Sequence, residues 1–482
     1  MSTPSEALRD APPKALREID DLPSPPGLPL LGNLLQIDKP HIHAQIEAWV
    51  RRYGNFFSFR LGRQRLFVVA DHQAIGAMLR DRPEGFRRTP RLARVSAEIG
   101  LGAGVFGAEG EAWKRQRRMV MAGFDPRHLR AYFPSLVKVC DRLEGRWQRA
   151  ASAGQAIDLQ ADLMRFTVDA ISGLAFGSEV NTLESDEEVI QQHLDKIFPA
   201  LFRRMLAPLP TWRWWKTRAD RQLDASVIEV NAAIDGFVGA ARQRLAADPA
   251  RRAAPANLLE AMIVAADDPG SGITDKEVSG NVMTMLLAGE DTTANTLAWA
   301  IWLLATNPAS LERARTEIDA VLGEPHQWTP ERFASLHWLE ACANETMRLK
   351  PVAPLLVVQS LRDTTIADIR VPGGTLVFGA MRSESLREDY FTKAAQFDPG
   401  RWLDTGLSAS AANRIAMPFG AGPRVCPGRH LAMLEMKMAL ATLVGRFEID
   451  SVDTTDGDSP DERMSFTMAP GSLSMRLHAR QR

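Results

Sequence analysis

Apolar residues recur every three or four positions over most of the chain up to about residue 350, which predicts a mainly helical protein. Residues 42–53 read as a short helix, and so do residues 111–121 and 338–350, the last halted by Pro351. Strand patterns are fewer. FFSFRL (56–61) and LFVV (66–69), either side of Gly62-Arg63-Gln64, read as a β-hairpin. Further strand-like runs lie at 355–361, 369–371 and 376–378, with Gly373-Gly374 as a turn. Residues 463–478 alternate as a terminal hairpin would. The strongest single element begins at Thr274, where Thr274-x-x-Glu277 is a capping box. Its apolar pattern runs without proline to Asn307-Pro308, about 32 residues and roughly 48 Å. A helix that long crosses the whole molecule.

In the middle of that helix lies Ala288-Gly289-Glu290-Asp291-Thr292-Thr293. Glycine, two acids and two β-branched hydroxyls are poor helix-centre residues. Threonine hydroxyls bonding back to carbonyls beside a glycine open or bend a helix. Such a misfit marks a functional position.

Composition changes this picture little. The 482 residues carry a net charge of −1, which argues against nucleic acid as a partner. Three widely spaced cysteines (Cys140, Cys342, Cys426) form no disulfide framework and fit a reducing compartment. No segment approaches the length of a membrane span, and the charged, proline-broken N-terminus is no signal peptide. A cytoplasmic protein without a transmembrane anchor is expected. Residues 1–22 read as a flexible tail, and 23–482 as one domain with no reductase unit. Gly102-x-Gly104-x-x-Gly107 matches a dinucleotide fingerprint in form only, since neither a strand nor a βαβ unit surrounds it. His41-x-His43 lacks metal-ligand context and reads as exposed, without a role.

The chemistry concentrates in residues 416–440, AMPFGAGPRVCPGRHLAMLEMKMAL. An aromatic opens a glycine-bent loop that ends at Cys426. Pro427 then marks a helix start, with Leu431, Leu434, Met438 and Ala441 on one face. A cysteine at a helix N-terminus beside Arg424 should hold a lowered thiol pKa. Such a thiolate serves as a nucleophile, a redox thiol or a metal ligand.

Phe419-x-x-Gly422-x-Arg424-x-Cys426-x-Gly428, with Ala432 further on, resembles the haem-binding signature of the cytochrome P-450 family at every defining position. Ala288 to Thr293 resembles that family's oxygen-binding groove. Glu345 and Arg348, three apart on a helix, would by spacing alone be a surface ion pair. The resemblance instead makes them a buried structural triad with Arg401. Gly400, where an acid is common, and Met381, where a histidine is, depart from the family pattern. The resemblance spans the chain from the proline-rich stretch 22–33 to the last strands. It implies a mainly α fold with small β-sheets, the long helix crossing over a haem.

The resemblance also implies roles. Cys426 becomes the axial thiolate of haem b, with Phe419, Gly428, Ala432 and Ala288 against the cofactor. Trp113, Arg117 and Arg424 become partners of the haem propionates. Thr292 bonds the distal oxygen and Asp291 relays protons, while Glu290 turns aside into a salt-bridge lining. Val105, Phe106, Leu287, Ala288, Ala353, Leu355 and Met468 face the distal pocket. Residues 195–216, with three tryptophans, either cover the substrate entrance or pack in the core. The expected activity is insertion of one O2 atom into an apolar fatty acid, terpenoid or steroid, by a soluble, bacterial-type, monomeric enzyme. Electrons come from NAD(P)H through a ferredoxin or flavodoxin steered by Lys114, Arg115, Arg118, Arg429 and Lys437. A peroxide-driven hydroxylase should lack the Asp291–Thr292 pair, and a haem-thiolate sensor should carry a signalling segment; neither expectation suits this sequence.

Overall fold

The computed structural model describes residues 16–102, 104–177, 180–185, 190–403, 409–454, 457 and 459–480. The long helix spans Asp275–Ala305, 31 residues, and starts as its capping box requires, with the Glu277 carboxylate accepting from the Thr274 N–H at 2.9 Å. It is buried along most of its length, so it shows no polar stripe. Leu159–Phe176, His337–Leu349 and Arg429–Arg446 pack around it and share one large apolar cluster with it.

A five-stranded sheet stands beside this helical body. Its order is Phe56–Leu61, Gln64–Val69, Leu376–Ala380, Leu355–Ser360 and Phe86–Arg88. The first two strands form the expected hairpin, with Phe56 opposite Val69 and Leu61 opposite Gln64. The C-terminal strands differ from expectation. Glu462–Met464 pairs with Met468–Pro470, while Leu473–Ala479 pairs with Phe447–Thr454. Alternation marks strands but does not name partners.

The N-terminal tail also differs. Residues 1–15 lie outside the described residues, but Arg17–Glu18 pairs in parallel with Ile369–Arg370, and Ile19 and Leu22 are buried. Burial of two apolar side chains ties this stretch down. Nor is the His41-x-His43 pair idle. His41 bridges Asp38 and Asp461, and buried His43 meets Glu462 at 2.9 Å, joining the first helix to the C-terminal hairpin.

The Gly102–Gly107 loop gains a physical reason. It follows the helix Pro90–Ile99 and lies against the long helix, where the Asn281 side chain accepts from the Val105 N–H at 2.8 Å. A Cβ at Gly104 would sit 2.3 Å from the Gly280 carbonyl oxygen, so only glycine permits this approach.

Glu345 and Arg348 are fully buried rather than on the surface. Arg348 donates through Nε and Nη2 to both carboxylate oxygens at 2.8 Å, and Arg401 Nε adds a third bond at 2.9 Å. Trp402 Nε1 donates to the same carboxylate at 2.9 Å. Removing one member strands a charge, which costs about 3–5 kcal/mol. Arg348→Ala is therefore expected to lose folded yield and to unfold at markedly lower denaturant; a variant as stable as the parent would contradict this account.

Candidate active site

The Cys426 loop is set by backbone geometry before any side chain acts. The Cys426 N–H donates to the Phe419 carbonyl at 3.0 Å, closing the loop on itself. Gly422 sits at φ +71°, and a Cβ there would lie 2.5 Å from the Leu79 carbonyl oxygen. The next helix is Arg429–Arg446 with Gly428 at its N-cap, so it begins two residues later than Pro427 suggests. The thiol also departs from expectation. Burial pushes the Cys426 thiol up, outweighing the Gly428 N–H and the charges of Arg117 and Arg429. A helix terminus alone does not make this sulfur a thiolate; bonding to a metal would.

The long helix contributes a second surface. Ala288 is exposed although Leu286, Leu287 and Glu290 around it are buried, so one face opens onto interior space. Thr292, one turn on, lies on that face and donates its hydroxyl to the Ala288 carbonyl at 2.8 Å. That hydroxyl is the back-bonded group the sequence implied.

Around the loop the structure gathers charge. Arg424 donates to the Ala108 carbonyl at 2.7 Å and to Glu109 at 2.5 Å, with its guanidinium over the Trp113 ring. Arg82 approaches Glu109 only to 3.9 Å, and its Nε and Nη2 have no hydrogen-bond partner among the described residues. Arg88 lies over the Phe106 ring at 3.5 Å and donates Nε to the Phe106 carbonyl at 2.5 Å. Burial and mutual repulsion depress Arg88 and bring Arg424 down to about 10. Arg117 Nη2 donates to the Val425 carbonyl at 2.8 Å, which places its charge beside Cys426.

Next to the open helix face lies a carboxyl cluster. Asp291 accepts from the Asn295 amide at 3.0 Å and from the Thr467 hydroxyl. Glu290, 3% exposed, has no basic partner among the described residues and faces Asp195. Burial raises all three acids, Asp291 to about 6, Asp195 to about 7 and Glu290 well upward. With Gln191, Asn295 and Phe198 they line a cavity of about 340 Å³.

A family model for Cytochrome P450 matches residues 22–477. The chain belongs to the cytochrome P450 family. Its relatives include Protein LUTEIN DEFICIENT 5, chloroplastic, from Arabidopsis thaliana, 25% identical over 88% of this chain and 69% of that protein. The self-sufficient cytochrome P450 monooxygenase CYP505AG1 of Oidiodendron maius is 27% identical over 95% of this chain, which spans 42% of that protein. The fold matches the crystal structure of cytochrome P450DA heme domain with a TM-score of 0.82, at 24% identity over 97% of this chain and 99% of that one. Membership makes the chain a monooxygenase of the haem-thiolate kind.

The residues present fit haem. Three guanidinium groups, Arg82, Arg88 and Arg424, share one carboxylate, Glu109, which leaves two positive charges for two propionates. The orphaned Arg82 and Arg424 nitrogens would supply the donors, and the Trp113 indole lies beneath the Arg424 guanidinium. Arg117 then serves the sulfur side of the loop through Val425. Sequence reasoning named Trp113, Arg117 and Arg424 but not Arg82 and Arg88, which show no motif spacing; only the fold brings them to Glu109.

Other expectations are corrected. Glu290 enters no salt bridge among the described residues, because its neighbours there are acids. Met468 is buried against Arg382, with Nη1 3.8 Å from its sulfur, because its strand turns it into the cluster beside the sheet. Leu287 is likewise buried in the main cluster, while Val105, Phe106, Ala353 and Leu355 keep exposed surface. The residue facing the Phe106 side is instead Phe466, whose ring stacks on Phe198 at 4.7 Å and meets Phe106 at 6.1 Å. Lys437 is buried and paired with Glu340 at 2.9 Å, so it cannot steer a partner.

The acids make a pH prediction. Ionising Asp291 costs the folded state as pH rises from roughly 4, the unfolded value, through about 6, the folded one. Asp291→Asn should therefore unfold at a higher temperature than the parent at pH 7–8, by about 2 kcal/mol, with the gain vanishing near pH 4. A gain independent of pH would refute the assigned cause.

Proposed function

We propose that this cytochrome P450 inserts one atom of O2 into an apolar substrate of the fatty acid, terpenoid or steroid class, as a monomer fed from NAD(P)H through a separate ferredoxin- or flavodoxin-type partner. The observation that carries this reading is the Thr292 hydroxyl, bonded back to Ala288 on an open face in the middle of a helix buried along most of its length. Haem held by Cys426 supplies the electron-rich iron that activates dioxygen.

The chain's own residues do the rest. Thr292 can exchange its bond to the Ala288 carbonyl for one to a ligand on that face, presenting a proton there. Asp291, held near neutral pKa between Thr467 and Asn295, can give up and regain a proton at physiological pH. Glu290 and Asp195 extend this protonatable path toward the polar cavity. Val105, Phe106, Phe198, Leu355 and Phe466 offer apolar surface, which suits an apolar substrate. Exposed Arg118, Arg429 and His430 next to the Cys426 loop favour an acidic electron donor. Lys114 and Arg115 are partly engaged by Glu111, Glu84 and Glu277 and contribute less.

Two variants test this reading. The reduced parent with carbon monoxide should show the difference spectrum of a thiolate-ligated haem, and Cys426→Ser should abolish it. Thr292→Ala should keep that spectrum while diverting electrons to hydrogen peroxide, with product per electron pair down roughly ten-fold or more. Tight coupling in Thr292→Ala would remove Thr292 from the mechanism.

A further inference from the structure

The cavity beside the open helix face carries more acid than proton exchange requires. Asp158, Asp195, Glu290 and Asp291 all line it, and among the described residues no Lys, Arg or His does. Two of the four are already engaged. Asp158 caps the helix Leu159–Phe176 by accepting from the Ala161 N–H at 3.1 Å, and Asp291 is held by Thr467 and Asn295. Two cations act on Asp195 from outside the cavity lining: Arg165, which donates to the carbonyls of Thr182 and Ser185, and Lys196, which is exposed.

Two buried acceptors in the wall point to what is missing. Glu290 is 3% exposed and Asn295 1%, and neither Glu290 Oε1 nor Asn295 Oδ1 has a hydrogen-bond partner among the described residues. The Asn295 amide is fixed in its orientation, because its Nδ2 donates to the Asp291 carbonyl at 2.9 Å and to the Asp291 carboxylate at 3.0 Å. A buried acceptor left without a donor is costly. Asp195, exposed and bonded by the Gln191 amide, adds a carboxylate at the mouth. A protonated primary amine has three N–H donors, no acceptor and one positive charge, which matches this set. Among the described residues no group of three His, Cys, Asp or Glu side chains is arranged to hold a metal ion, so an organic cation fits better.

The rest of the wall is apolar. Met164, Leu194 and Phe198 line the same space, and Phe198 stacks on Phe466, which meets Phe106. About 340 Å³ is room for a head group and the beginning of an apolar chain, since one water takes only about 30 Å³.

We infer that Asp195, Glu290 and Asn295 form a binding site for a protonated amine, and that the apolar substrate carries this group. The inference rests on the monooxygenase reading above and narrows its substrate class. The ammonium group bonds Glu290 Oε1, Asn295 Oδ1 and Asp195, and the apolar body runs along Phe198 and Phe466 toward the face of Ala288 and Thr292. A carbon remote from the nitrogen then lies by Thr292, and a carboxylate at the cavity end is repelled.

The test compares dodecylamine, 1-dodecanol, dodecanoate and ethylamine on the full-length holoprotein by titration calorimetry and by the haem Soret band. It is run at pH 8, where Asp291 and Asp195, raised to about 6 and about 7, are ionised. Dodecylamine should bind roughly ten-fold or more tighter than the other three, with the Soret band moving to shorter wavelength. Glu290→Gln and, separately, Asp195→Asn should each lower its affinity roughly ten-fold and leave that of 1-dodecanol unchanged. Asp195 is exposed, so its variant carries the test even where Glu290→Gln fails to fold; the carbon monoxide spectrum checks both. Dodecylamine binding no tighter than 1-dodecanol, or equally to the parent and both variants, overturns the proposal. A Soret shift to longer wavelength also overturns it, because the nitrogen is then on the iron. Ethylamine binding as tightly as dodecylamine overturns the substrate assignment, since the site then takes a free small amine. A parent with the thiolate spectrum and coupled turnover that fails these tests loses the amine site alone, whereas loss of that spectrum strikes the monooxygenase reading.

Discussion

Three buried guanidinium groups around a single carboxylate set the terms for the active-site half of this protein. Arg82 follows the helix His72–Arg80, Arg88 ends an edge strand, and Arg424 comes from the Cys426 loop, while Glu109 caps the helix that carries Trp113. Burying such an excess of charge is unfavourable unless anions complete it. The fold therefore leaves a demand for two negative charges at the junction of four segments. The propionates of a bound haem would meet that demand, and cofactor binding and the joining of these segments would then be one energetic event.

The long helix answers a different demand. It must be stiff enough to traverse the core and yet open at one point. Apolar burial on nearly all sides provides stiffness, and Gly102 and Gly104 let their loop approach the Gly280 backbone closely enough to brace it. At Ala288 to Thr292 the small residue and the back-bonded hydroxyl leave a gap that larger side chains would fill. Burial raises the carboxyls that flank the gap, Asp195 despite the nearby charges of Lys196 and Arg165, and so keeps Asp195 and Asp291 near the pH at which they can exchange protons. The Glu345–Arg348–Arg401 cluster secures the neighbouring helix from behind, with both Glu345 carboxylate oxygens hydrogen-bonded inside the fold.

Residues 195–216 combine both outcomes that their composition allowed. Ile197 and Leu201 are core, Phe198 belongs to the pocket side, and Trp214 and Trp215 face outward. The helix ends before Ala207-Pro208, and the chain then leaves the apolar cluster that had held its inner face. A tryptophan count cannot distinguish these fates, because the same side chain serves a core and an interface equally well.

Local chemistry was enough to specify the long helix, the sheet hairpin and the cysteine loop. A capping box, a two-residue turn and a glycine at positive φ act over a few residues, so their signals survive in one dimension. The family was legible for the same reason, in residues close together in sequence around Cys426 and at Ala288 to Thr293. Tertiary packing alone decided what depends on meetings between distant segments. It buried Lys437 and Met468, tied residues 17–22 to a sheet edge, and gave the last strand its partner at 447–454. It also brought Arg82 and Arg88 to Glu109, Asp195 to Glu290, and Phe466 to Phe198 and Phe106. Charge and burial at those positions are properties of the assembled interior, where the dielectric and the neighbours are set by chain segments tens to hundreds of residues away.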